Sequence, residues 1–289
     1  MPSPMAEPPR TLPNMRVMQD PSVRKERVTV QYASPQAATS YAAFTDRSPL
    51  GRTVRSRLRL VQEILSHHPG GALLDAGCGP GMMARLLLQS RPGDFSITVL
   101  DQSLAMIKYC AENMQSVGPV HGTVGQLEAL PFGDASFDIA LVMGALEYTD
   151  AACSVREITR VTRPGGLVVL TMLNPLSPYR LTEWMLYWPL VRLAGAIEAL
   201  LGIPRSRRHA APLTGIRTVP ARRLKRLMRQ AGLAPVDVVH YDITPLVPPL
   251  DRLPAMVRRS SRTPFERTMQ RRGWRRWLGT AYVISARRT

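Results

Sequence analysis

The chain has 289 residues, 45% of them hydrophobic, enough for one large domain with a real core plus an insertion and tails. Its formal charge of +17 is uneven, because residues 71–173 carry 6 basic against 10 acidic side chains while residues 174–289 carry 22 against 6. Three cysteines (Cys78, Cys110, Cys153) lie too far apart for a C-x-x-C metal site or a disulfide framework, so a reducing, cytoplasmic setting is expected and no metal.

Residues 1–34 hold six prolines and no apolar run; they read as a disordered tail without the apolar segment of a secretory signal. Two helices follow within 35–69. The first is alanine-rich from Ser34 to Phe44, and the second runs from about Pro49 to His67 with Val54, Leu58, Val61, Ile64 and Leu65 at helical spacing. From 70 to 175 strands and helices alternate: strands at 71–75, 96–100, 120–124, 137–143 and 167–173, and helices at 80–90, 103–116 and 151–162, with a turn over 163–166. That alternation predicts an α/β fold with a doubly wound, mostly parallel sheet.

After the fifth strand, residues 176–218 are apolar but broken by Glu183, Pro189, Arg192 and Glu198, so a membrane span is not expected. The segment reads either as a helical lid over the site or as an amphipathic helix that touches an anionic membrane surface. A basic helix at 219–233, a strand at 235–243 and a last strand at 281–288 complete the chain. The arginine excess (35 Arg, 3 Lys) reads as a solvated face produced by coding bias, or as a surface attracting nucleic acid or anionic lipid.

The most informative stretch is Gly70–Leu88, GGALLDAGCGPGMMARLLL. A strand ends at Asp75 and meets Gly77, Gly79 and Gly81 before a helix begins. Glycine there permits positive φ and lets a ligand lie against bare backbone, with loop amides and the helix end facing it. Asp101 ends the next strand at the distance from which an acid holds ribose hydroxyls. A nicotinamide fingerprint G-x-G-x-x-G is excluded, since Met82 occupies the place of its third glycine.

With LLDAGCGPG, VLDQSLAMI, GQLEALPFGDASFDIALVMGALEY and REITRVTRPGGLVVLTML in that order, the chain resembles the class I S-adenosylmethionine-dependent methyltransferases, and in particular their small-molecule, quinone-type branch. The resemblance covers residues 70 to 175. It implies a seven-stranded Rossmann-like sheet with the last strand antiparallel and inserted between its neighbours, and S-adenosyl-L-methionine as cofactor. Asp75, Gly77, Cys78, Gly79 and Gly81 would surround its methionine part, Asp101 its ribose, and Gln102, Gln126 and Leu127 its adenine. Gln126 stands where many relatives carry an acid; a glutamine carbonyl accepts the same hydrogen bond. Met143, Gly144, Glu147 and Tyr148 would face the cleft, with Tyr148 and Glu147 the candidates for catalysis.

Tyr41, Tyr148, Tyr179 and Trp184 are expected to line the acceptor's place, with Tyr32 a further candidate; packing is the plainer role for Tyr32 and Tyr41. His121, His209 and His240 are isolated and read as structural or exposed. The leading reading is methyl transfer to a small, lipophilic or aromatic acceptor. A nucleic-acid methyltransferase is the second reading, motivated by the basic C-terminal part but lacking an N/D-P-P-Y motif, since MGALEY stands there. The third is a membrane-associated SAM-binding protein without turnover.

Overall fold

The computed structural model describes residues 34–47, 51–204, 208, 216–243, 247, 269 and 273–289. The expected tail at 1–34, Tyr32 and His209 lie outside the described residues, apart from Ser34 itself.

Two helices come first among the described residues, α1 (Pro35–Arg47) and α2 (Arg52–Ser66). Then come β1 (Gly71–Ala76), α3 (Met82–Ser90), β2 (Phe95–Asp101), α4 (Leu104–Met114), β3 (His121–Val124), β4 (Phe137–Val142), α5 (Ala151–Val161) and β5 (Thr162–Leu173). After β5 a short helix α6 (Pro178–Thr182) passes through a π-turn, Glu183–Tyr187, into α7 (Trp188–Leu200). The chain closes with α8 (Ala221–Gln230), β6 (Leu233–Ile243) and β7 (Gly279–Arg288).

The strands form one seven-stranded sheet in the order β3-β2-β1-β4-β5-β7-β6. All neighbouring pairs are parallel except β5–β7 and β6–β7, so β7 runs antiparallel between its neighbours as the resemblance implied. Alternate residues of each central strand go to opposite faces. Leu73, Ile139, Leu141 and Val169 pack with α2, α3 and α4 on one side, and Leu74, Ala140, Val142 and Val168 with α5 and α8 on the other. Burial on both faces is why these strands read as continuous apolar runs.

Local chemistry sets the helix starts. Ser103, Asp150 and Ser177 sit at N-caps and accept from the amides of Met106, Cys153 and Arg180. One expectation is corrected: residues 163–166 form no separate turn. Thr162 already pairs with Phe137, and a register shift before Ile139, with Gly165 at φ +76°, absorbs Pro164 within the strand.

Strand order reverses between β1 and β4, and in such sheets the crevice beyond the strand C-termini at that point is where ligands bind. The segments at those ends are the glycine bend after β1, Asp101 at the tip of β2, Gln126–Leu127 after β3, and Met143–Thr149 after β4.

Candidate active site

A cavity occupies that crevice. From the bend it is lined by Gly77, Cys78, Gly79 and Pro80, from the end of β2 by Asp101 and Gln102, from the loop after β3 by Gln126 and Leu127, and from beyond β4 by Met143, Gly144 and Tyr148. Tyr41 of α1 and Val54, Arg57 and Leu58 of α2 form the facing wall. Eight of the ten residues expected at the cofactor therefore converge on one space; Asp75 and Gly81 stand behind its lining.

The bend is a steric device. Gly77, Gly79 and Gly81 all have positive φ. A Cβ on Gly77 would lie 2.3 Å from Ala145 Cβ, whereas one on Gly79 would meet no protein atom within 4 Å and would project into open space. The expectation of free loop amides is corrected: Gly77 and Cys78 donate to the Leu100 carbonyl, Gly81 to Cys78, and Gly79 to Asp101 Oδ2 at 3.0 Å. Tying the bend to β2 in this way spends its donors, and what remains for a ligand is close approach to bare backbone. Gly77→Ala will combine the clash with left-handed backbone, lowering unfolding free energy by about 2–4 kcal/mol in urea titration.

Asp101 serves both strands. Its Oδ1 accepts from Ser103 N at 2.9 Å, and its second oxygen holds Gly79. Burial pushes its carboxyl up, opposed by the amides of Ser103, Gly79 and Gln102. Asp75 is 1% exposed and neither carboxylate oxygen has a partner among the described residues. Burial, reinforced by the nearby Asp101 charge and offset by Arg57, pushes it up to about 7. A carboxylate left without partners at the foot of a ligand crevice is costly unless a ligand supplies the donor.

Arg57 is the site residue that sequence reasoning missed. It lies on the same helix face as Val54, Leu58 and Val61, so a cation inside an apolar stripe was the available signal. Four residues earlier, Thr53 donates to Asp242 Oδ2 at 2.7 Å, pinning this face of α2 against β6. Arg57 then meets Tyr41, Tyr241 and the charge of Glu147, while its buried Nε has no partner among the described residues. Its Nη1 crowds Gly144, where an added Cβ would stand only 2.1 Å away; glycine is required there for close approach as well as for its φ of +70°.

Glu147 does not face the cleft. The short 3₁₀ turn Leu146–Tyr148 sends its side chain inward, 4% exposed, while Tyr148 lines the cavity. Burial raises the Glu147 carboxyl, with Arg57, its own amide, Arg180 and the Leu173 amide opposing. Tyr179 and Trp184, expected beside the acceptor, are absent from the cavity wall, and Trp184 is exposed. No described residue of 176–204 reaches the cavity, because α6 is anchored instead at the end of β5 and against β7, where Asn174 Nδ2 donates to the Gly279 carbonyl. His240 packs at 5.7 Å from the Tyr282 ring and is pushed down to about 4 by burial and then by the Arg276 and Lys225 charges. Among the described residues no group of three or more His, Cys, Asp or Glu is placed to hold a metal.

The fold and the crevice together define a Rossmann-like α/β protein with a ligand-sized crevice at its switch point. Residues 74–170 match a family model described as a methyltransferase domain. Over 187 residues the chain is 32% identical to the malonyl-acyl-carrier-protein O-methyltransferase of Erwinia pyrifoliae, covering 63% of this chain and 64% of that protein. Over 190 residues it is 30% identical to the demethylmenaquinone methyltransferase of Desulfitobacterium hafniense, covering 63% and 74%. The chain thus spans just under two thirds of the first relative and about three quarters of the second. A solved SAM-dependent methyltransferase of Thermotoga maritima shares the fold, with a TM-score of 0.53 at 17% identity over 86% of this chain and 99% of that one. The chain belongs to the class I S-adenosylmethionine-dependent methyltransferases.

Proposed function

We propose that this protein transfers a methyl group from S-adenosyl-L-methionine to a small, lipophilic acceptor. The observation that carries the reading is the unpartnered, buried Asp75 carboxyl at the glycine bend, with the Arg57 charge close enough to lower it. The Arg57 Nε and the two Asp75 carboxyl oxygens, all buried and without a partner among the described residues, match the carboxylate and ammonium of an amino-acid tail. Asp101 would take the ribose, and Gln102, Gln126 and Leu127 the adenine, with Gly77, Cys78 and Gly79 against the methionine part. When bound, the cofactor supplies a methyl carbon already activated by a sulfonium, so the protein's task is alignment rather than activation.

The chain's own residues would perform that task. Met143 and Gly144 set the floor beside β4, and Tyr41 and Tyr148 border the space left for the acceptor. Tyr148 would orient an acceptor hydroxyl. Glu147 acts behind the wall, as the charge that balances Arg57. We divide the labour into cap helices at 35–69, cofactor-binding core at 70–175, an accessory segment at 176–218, and a sheet-completing part at 219–289. A cytoplasmic setting is supported by cysteines that are all free thiols.

Calorimetry with S-adenosyl-L-methionine tests the reading first, since absence of heat and of thermal stabilisation at millimolar cofactor would end it. Transfer of labelled methyl would then be measured with malonyl-acyl-carrier protein and with a demethylated quinone, the acceptors named for the relatives. Binding without turnover on any lipophilic acceptor would shift the assignment to a SAM-binding protein.

A further inference from the structure

Fifteen large apolar side chains are exposed among the described residues, and twelve of them fall in two adjoining pieces, 176–201 and the 3₁₀ turn Trp274–Leu278. The pieces meet through α6, which touches that turn. Helix α7 buries none of its residues. Leu186, Leu190, Leu193, Ile197, Leu200 and Leu201 recur at the three- and four-residue spacing of one helix face, and Leu200 is 88% exposed. Arg192 and Glu198 fall off that spacing.

An exposed apolar stripe of this length calls for an occupant. The cavity is not it, since no described residue of 176–204 lines it. The charge around the stripe selects among the others. Trp274, 72% exposed, and Trp277 bracket Arg275 and Arg276, with the Arg276 guanidinium 5.3 Å from the Trp277 ring centroid; Arg192 stands exposed on α7. Glu183 is buried and paired with Arg180. The whole C-terminal part, 174–289, carries 22 basic and 6 acidic residues. Apolar stripe, tryptophans and arginines in one surface are the elements of an in-plane interfacial anchor on anionic lipid. The length agrees: α7 spans about 20 Å, short of a bilayer's apolar thickness, and no described helix is long and apolar enough to cross a membrane.

We infer that α7, with the π-turn before it and the Trp274–Trp277 turn beside it, lies in the surface of an anionic membrane. The anchor goes beyond methyl transfer and does not depend on which acceptor is used. Its position has a consequence all the same. It is joined through α6 to β5, whose last residue, Leu173, gives its amide to Glu147 beside the cavity-lining Tyr148. A docked protein therefore holds the strand ends that carry its crevice near the lipid, from which a lipophilic acceptor can enter.

All four tryptophans of the chain, Trp184, Trp188, Trp274 and Trp277, lie in these two pieces, so selectively excited tryptophan fluorescence reports on them alone. The full chain would be titrated with vesicles of phosphatidylglycerol and phosphatidylcholine, and with phosphatidylcholine alone. The expected result is a blue shift and co-flotation with the anionic vesicles, weakened by salt, and much less of both with the neutral ones. Leu193→Glu combined with Ile197→Glu should reduce vesicle affinity by at least about 30-fold, with the unfolding midpoint and cofactor heat unchanged because both side chains are exposed. Failure to bind anionic vesicles overturns the inference. So does undiminished binding by the double variant, which would leave charge alone as the cause, or a wild-type dimer that the double variant dissociates, which would make the stripe a contact between copies.

Discussion

Arg57→Met will bind S-adenosyl-L-methionine about 100-fold more weakly than the wild-type protein, the loss expected when a buried, charge-assisted hydrogen bond to a carboxylate is removed. Methionine keeps much of the arginine's apolar stem on the helix face shared with Val54, Leu58 and Val61, so packing on this wall is largely retained. A purely structural role is separated by a second ligand. Decarboxylated S-adenosylmethionine lacks the group that Arg57 is assigned to hold; wild type should discriminate against it strongly, and Arg57→Met should not. Equal discrimination by both proteins in calorimetry would remove Arg57 from the cofactor's site. Arg57→Lys should fall between the two, since a lysine keeps the charge but not the planar fork. The carboxylates flanking Arg57 should respond as well: its charge holds Glu147 and Asp75 down, so its loss makes both harder to ionise.

Asp75→Asn will have opposite effects on stability and on binding. The Asp75 carboxyl is raised by burial and the Asp101 charge to about 7 in the folded protein, against about 3.9 in an unfolded chain. Between those two values the folded state holds a proton that the unfolded state has released, so the cofactor-free protein loses stability as pH rises from about 4 to about 7. Asparagine carries no such charge. The variant should therefore be more stable than wild type at about pH 8, by about 2 kcal/mol, and should lose this part of the pH dependence. Denaturant titrations across that range measure both.

Cofactor binding should move the other way. The ligand's ammonium group favours the ionised carboxylate, so wild-type affinity strengthens as pH rises through about 7, while Asp75→Asn binds roughly 10- to 100-fold more weakly at about pH 8 with a flatter profile. A variant that binds as tightly as wild type would show that Asp75 merely terminates β1. Such an exchange of stability for binding is expected where a buried charge is kept for its ligand.

The fold lends no specificity to either prediction. A Rossmann-like sheet hosts many chemistries, and the argument for this one rests on particular side chains at the switch point. The relatives' names divide between a carrier-bound acid and a quinone, acceptors with little in common. In the proposed reading the bend and the facing arginine serve the cofactor, whereas the acceptor meets the wall of Tyr41 and Tyr148.

How far the chain could be read before folding follows from the range of the interactions involved. The strand–glycine–helix passage Gly70–Leu88, the acid at Asp101 and the apolar strands are local signals. Each is decided by residues within a turn or a strand length, and each was legible in order along the chain. Four ordered motifs in 70–175 also carried the cofactor and the inserted antiparallel last strand, because family topology is written in their succession. Tertiary structure alone decided what depends on contacts between distant segments. Thr53 meeting Asp242 brings Arg57, a cation on an otherwise apolar helix face, over Gly144. The 3₁₀ turn at Leu146–Tyr148 turns Glu147 inward and Tyr148 outward. The bend spends its amides on Leu100 and Asp101. Helix α7, apolar enough to read as a lid, keeps its stripe outside because α6 is tethered at the end of β5 rather than over the crevice. Sequence determines which groups the protein owns and their local conformation; the cost of leaving a buried charge or an apolar face without a partner becomes visible only once the neighbours are known.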